Sequence, residues 1–160
     1  MNTTPKLDMI LAKQREHWGN VVSEMVDGQK RTHWCWYFLP NVPGLGASEQ
    51  AKLFSVTPEE FIFFMGNKEY AGNIDALLFL VDNAYKKHRD ITFVMGNNPV
   101  DVLKFNSFLT MYRLAYLHYT IFVPSETLRS ILRVEPEFFS GERCERTIKV
   151  CHNSYCSNVN

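Results

Sequence analysis

Apolar positions in this chain return at three- and four-residue steps with polar positions between them, and most such runs start at a residue that can cap a helix. The first run carries Leu7, Ile10, Leu11, Trp18, Val21, Val22, Met25 and Val26. Thr4 supplies a hydroxyl cap, Pro5 a first helical residue whose missing N–H is no loss there, and Gly28 a stop. Ser48 caps a short SEQAKLF segment. Thr57, Pro58 and Glu60 form a capping box ahead of FIFFM, in which hydroxyl and carboxylate each satisfy a backbone N–H of the first turn. Residues 68–88 place Tyr70, Ile74, Leu77, Leu78, Val81, Ala84 and Tyr85 on one face. Asn98 and Pro99 open PVDVLKFNSFLTMYRLAYLH, whose Val102, Leu103, Phe105, Phe108, Leu109, Tyr112 and Tyr116 cover an arc wide enough to predict a central helix buried on much of its circumference. ETLRSILRV, preceded by Pro124 and Ser125, and ERCERTIKVC after Gly141 complete the set.

This pattern predicts a mainly α fold, a compact single-domain helical bundle of about six to seven helices over residues 1–151. The polar segment 152–160 reads as a flexible tail. HWCWYFL and YTIFV are β-rich in composition, and a minor strand pair is the alternative for them.

Composition agrees with a single core. At 160 residues, 46% hydrophobic, the chain buries enough surface to fold without disulfides or metal. Seventeen basic residues balance seventeen acidic ones, so no global field draws in nucleic acid, which is not expected to be the main partner. The N-terminus has no basic stretch followed by an unbroken apolar run, and no run approaches membrane-span length, so neither a secretory signal nor a membrane partner is expected. Cytoplasmic location is the expectation, and the four cysteines fit it.

Candidate chemistry concentrates in KRTHWCWYFLPNVPGLGAS, residues 30–48. Indole faces stack on flat rings, Lys30 and Arg31 can hold phosphate or carboxylate oxygens, and a Gly-rich turn exposes backbone N–H groups. The same residues could instead be a buried aromatic plug with the cations turned to solvent. A second set, Asp101, Lys104, Asn106, Ser107, Thr110 and Arg113, lies on the central helix, where Lys104, Ser107 and Thr110 share a face. Such a polar stripe must be solvated, internally satisfied or facing a cavity. The third set, Cys144, Cys151, His152 and Cys156, lacks a close Cys-x-x-Cys pair and reads as reduced, exposed tail thiols, so no metal is expected. Cys35, between two tryptophans, reads as buried and poorly reactive. No cofactor is expected.

The segment from Lys30 resembles the signature of a bacterial family, domain of unknown function 1810, which carries K-x-S-H-W-M-W-F-x-F-P-Q, then G-L-G-x-S and an alanine-led helix. Lys30, His33, Trp34, Trp36, Pro40, Gly44, Leu45, Gly46, Ser48 and Ala51 fall on that pattern. Asp101, Lys104, Phe105, Ser107 and Thr110 are similar to its D-x-x-K-L-x-S-S-M-T-L-F segment, and Phe139, Gly141 and Thr147 to its closing F-x-G-x-x-D-x-x-T. Thr32, Cys35, Asn41 and Cys144 depart from it, and Asn106, Ser107 and Phe108 stand where a serine pair is usual. The resemblance implies a mainly helical single domain and carries no settled activity.

From these residues we expect a small-molecule binding domain for an anionic, nucleotide or ADP-ribose-like ligand, serving sequestration or sensing. Trp34 or Trp36 would stack on the ring. Lys30, Arg31 and Lys104 would meet phosphates, and Asn41, Ser107 and Thr110 would orient the ribose or base. His33 is the further ligand contact. One alternative is a hydrolase of a glycosidic or phosphoester bond with His33 and Asp101 as acid and base. The other is a protein-interaction module anchored by the aromatic loop.

Overall fold

The computed structural model describes residues 3–119, 125–139 and 141–156. Nine helices occur among them: α1 (Pro5–Asp27), α2 (Cys35–Phe38), α3 (Glu49–Leu53), α4 (Pro58–Met65), α5 (Lys68–His88), α6 (Ile91–Val94), α7 (Pro99–His118), α8 (Glu126–Phe138) and α9 (Glu145–Cys156). No strand occurs among the described residues. HWCWYFL forms the α2 turn instead, and Thr120–Val123 of the YTIFV segment lies outside the described residues.

Local signals set the helix starts. The Thr4 hydroxyl accepts from Leu7 N–H, Ser48 from Ala51, Asn98 from Val100 and Ser125 from Leu128. At α4 the capping box closes in both directions, Thr57 accepting from Glu60 N–H and Glu60 from Thr57 N–H. The four-residue α2 and α6 account for the excess over the expected number of helices; each is too short to show a period. The last helix continues past His152, with Tyr155 buried one turn after Cys151 on the same apolar face.

Packing centres on α5, which lies against α1, α8, α6 and α4, and on α7, which lies against α9, α4 and α6. Phe61 of α4 packs edge-on to Phe108 and Tyr112 of α7. As expected, α7 is enclosed on most sides: every residue from Phe105 to Tyr112 is buried. On α1 the buried face is turned slightly from the apolar stripe. Gln14 and Glu24 are on it, while Val26 is 65% exposed. No helix among the described residues is long and apolar enough to cross a membrane.

Gln14 and Glu24 stay buried because each answers backbone groups that have no helical partner. Gln14 donates to the Tyr37 carbonyl at the end of α2 and accepts from Asn73 of α5. Glu24 organises the turn after α1. Its carboxylate accepts from Arg31 N–H, from Thr32 N–H at 2.7 Å, from the Thr32 hydroxyl at 2.6 Å and from the Trp34 indole at 3.3 Å. Burial is the largest influence on this carboxyl and pushes its pKa up. The Thr32, Arg31 and Trp34 donors together outweigh it and hold the carboxyl below its ordinary value.

Two glycines fix where this turn goes. Gly28 ends α1 at φ 97°, and Gly96, at φ 79°, lies so close to the Lys30 carbonyl that a Cβ would stand 2.7 Å from the oxygen. Lys30 N–H donates to the Val94 carbonyl at 2.8 Å, which seats Lys30 against the α6–α7 turn.

Two stability measurements check this account. Glu24→Gln should lower unfolding stability by about 1–3 kcal/mol in urea titration at neutral pH. A depressed folded pKa adds stability that is complete above the ordinary carboxylate range and fades as pH falls through the folded value, so the parent should lose more stability on acidification than the variant does. Gly96→Ala should destabilise by about 1–3 kcal/mol through strain at positive φ alone, with more from the clash at Lys30.

Candidate functional site

The Lys30 side chain runs from the turn just described into the space between α2 and α7. There its ammonium meets the Asp101 carboxylate at 2.7 Å, with the two side chains 5% and 6% exposed. The same ammonium stands 5.5 Å from the Trp34 ring centroid. Asp101 sits in the first turn of α7, where the helix dipole favours a negative charge. One turn along α7, the Lys104 ammonium is 3.6 Å from the other Asp101 oxygen, longer than a hydrogen bond, and 4.4 Å from the centroid of Trp36. Two lysines therefore face one carboxylate, leaving about one net positive charge at this point.

Trp36 and Lys104 separate two adjoining grooves. The first is an open groove, about 460 Å³ when adjoining solvent is counted and about 60 Å³ as a cavity, between Trp36, Leu39, Val42, Leu45, Phe54 and Leu103, with Asn41 and Lys104 as its polar members. The second, about 520 Å³ with adjoining solvent and about 250 Å³ as a cavity, is lined by His33, Cys35, Asn98, Val100 and Asp101 together with Trp36 and Lys104. Asn41 ties the walls together: its amide nitrogen donates to the Leu39 carbonyl at 2.9 Å and to the Lys104 carbonyl at 3.1 Å. Both amide hydrogens are thereby occupied, and the Asn41 Oδ1 remains as an acceptor. The exposed imidazole of His33 lies 5.9 Å, centroid to centroid, from Trp36.

Of the residues singled out from sequence, Trp36, Asn41, Lys104, His33 and Asp101 come together at these grooves. The others do not. Trp34 is fully buried with its indole N–H held by Glu24, so its ring is core and offers no face to a ligand. Arg31 is exposed and pairs with Asp27 at 2.7 Å, away from either groove. Lys30 is enclosed by its ion pair. Ser107 and Thr110 face α9 instead: the Ser107 hydroxyl shares a 2.7 Å hydrogen bond with Thr147, and Thr110 donates to Asn106, which also accepts from Cys144 N–H. The polar stripe of α7 is satisfied internally because α9 supplies matching groups. Cys144 and Cys151 are buried here too, not exposed tail thiols, and burial pushes the Cys151 thiol up to about 12. Burial likewise raises Cys35, beneath the second groove. Among the described residues no cluster of metal-ligating side chains is present.

Glu24 is the residue that sequence reasoning passed over. A helical glutamate is ordinarily a surface residue, and its only sequence signal is its place one turn before Gly28 on the face that also holds Val21 and Met25.

The two ends of the Asp101 network should respond differently to truncation. Asp101→Ala leaves the Lys30 charge buried without its partner and should cost about 3–5 kcal/mol in urea unfolding. Lys104→Ala removes only a long ion pair and a cation–π contact, about 1 kcal/mol.

Among solved structures, the fold is similar to that of the conserved hypothetical protein Rv1873 from Mycobacterium tuberculosis, determined at 1.38 Å, with a TM-score of 0.74 at 24% identity over 89% of this chain and 94% of that one. No curated protein matches the chain. Residues 4–151, which hold both grooves and the Glu24 turn, match the protein family of unknown function DUF1810. The chain belongs to the DUF1810 family.

Proposed function

We propose that this chain is a small-molecule binding domain whose ligand lies beside Trp36 and presents an anionic group to Lys104. One observation carries the reading: Lys104 rests against the indole at 4.4 Å, where apolar walls meet a local excess of positive charge. Grooves of this kind hold a ligand by apolar area and orient it by a few convergent polar groups. The positive end of α7 opens at the second groove and adds to the attraction for an anion. A nucleotide or ADP-ribose-like ligand is within this class, and sequestration or sensing is the role that binding without chemistry would serve.

The alternatives have less support. A hydrolase needs a group free to take up a proton, and both oxygens of Asp101 are already engaged, one by the Lys30 ammonium at 2.7 Å and the other facing Lys104 at 3.6 Å. An interaction module would present its aromatic anchors, yet Trp34 and Phe38 are fully buried. A cytoplasmic location belongs to the same proposal, supported by the unpaired thiols of Cys35, Cys144 and Cys151.

Thermal unfolding with a panel of nucleotides, ADP-ribose derivatives and small aromatic acids tests the reading. A ligand at about one hundred times its dissociation constant should add roughly 2.7 kcal/mol. Trp36→Ala and Lys104→Ala should abolish that gain, whereas Ser107→Ala should lower stability and leave the gain in place. Absence of stabilisation by every compound, together with co-purification of a protein partner, would contradict it.

A further inference from the structure

The groups that line the first groove also restrict what can enter it. Its walls are apolar apart from the Lys104 ammonium and the one open acceptor, Asn41 Oδ1. A ribose buried there would have several hydroxyls stripped of water and one open side-chain acceptor to meet them, and each hydroxyl left without a partner weakens binding. Charge restricts the ligand in the same direction. Lys30 is already matched to one Asp101 oxygen at 2.7 Å, so Lys104 alone can answer an incoming anion. The second Asp101 oxygen lies 3.6 Å from that ammonium and would face any further negative charge brought to it. Like charges placed together in this way discriminate against a ligand.

Building on the binding role proposed above, we infer that the ligand class of this site is a planar, sugar-free aromatic acid with a single negative charge. Its ring lies in the apolar groove along Trp36, Phe54 and Leu103, and its carboxylate displaces the long Asp101 contact of Lys104. A polyphosphate or a nucleotide sugar is disfavoured on both counts.

Isothermal titration of the full chain with phenylacetate and naphthoate, with their neutral amides, and with adenosine monophosphate and ADP-ribose tests the inference. At least one acid should bind at one-to-one stoichiometry, about tenfold or more tighter than its amide and than either nucleotide. Lys104→Met should reduce the acid to the level of its amide. Val100→Glu, at an exposed position on the rim, should weaken the acid without disturbing the fold, so the test does not rest on one variant. If a nucleotide binds more tightly than both acids and Lys104→Met weakens it, the inferred class is wrong while the groove remains a binding site. Equal binding of acid and amide overturns recognition of charge. If no compound binds, or if neither variant alters binding, both the class and the groove reading fail.

Discussion

The contact on which the site depends is the buried ion pair between Lys30 and Asp101. It joins the turn after α1 to the first turn of α7, where Asp101 lines the second groove beside Trp36 and Lys104. A buried pair is poor evidence for net stability, since desolvating two charges consumes most of what their attraction gains. Its consequence here is geometric. With Asp101 held by Lys30, the nearby Lys104 is drawn toward the carboxylate without closing on it and rests on Trp36.

Support for that pair is layered. Glu24 gathers the backbone of Arg31 and Thr32 and the Trp34 indole, which fixes the path of the chain through Lys30. Gly96 lets the α6–α7 turn approach the Lys30 carbonyl, and Val94 accepts its N–H. Asn41 then fastens the segment after α2 to the backbone of α7 at Lys104. Buried polar groups of this kind are costly unless every one is matched, so they specify one arrangement of α1, α2 and α7 over other packings of equal apolar area.

Much of the architecture was legible in the sequence because it is written locally. Thr4 with Pro5, Thr57 with Glu60, and Asn98 with Pro99 announce helix starts through contacts within a single turn. The meeting of the Trp36 segment with Lys104 was legible only as an expectation, since no periodicity reports a long-range contact. Ser107 and Thr110 share a face with Lys104 in sequence terms, but whether that face sees a cavity depends on Thr147 and on the Cys144 backbone, which α9 delivers from far along the chain. Trp34 and Trp36 are near-identical as sequence signals. A nearby carboxylate, Glu24, draws one indole inward, and the ammonium of Lys104 lies on the other.

The three tryptophans provide the most direct measurement of the central claim, because Trp18, Trp34 and Trp36 each carry one indole N–H that reports its own surroundings by nuclear magnetic resonance. On titration with an anionic aromatic compound, the account predicts that the Trp36 indole signal moves in a saturable way while the signal of Trp34, held by Glu24, stays in place. A saturable shift at Trp18 or Trp34 with Trp36 unmoved would contradict it.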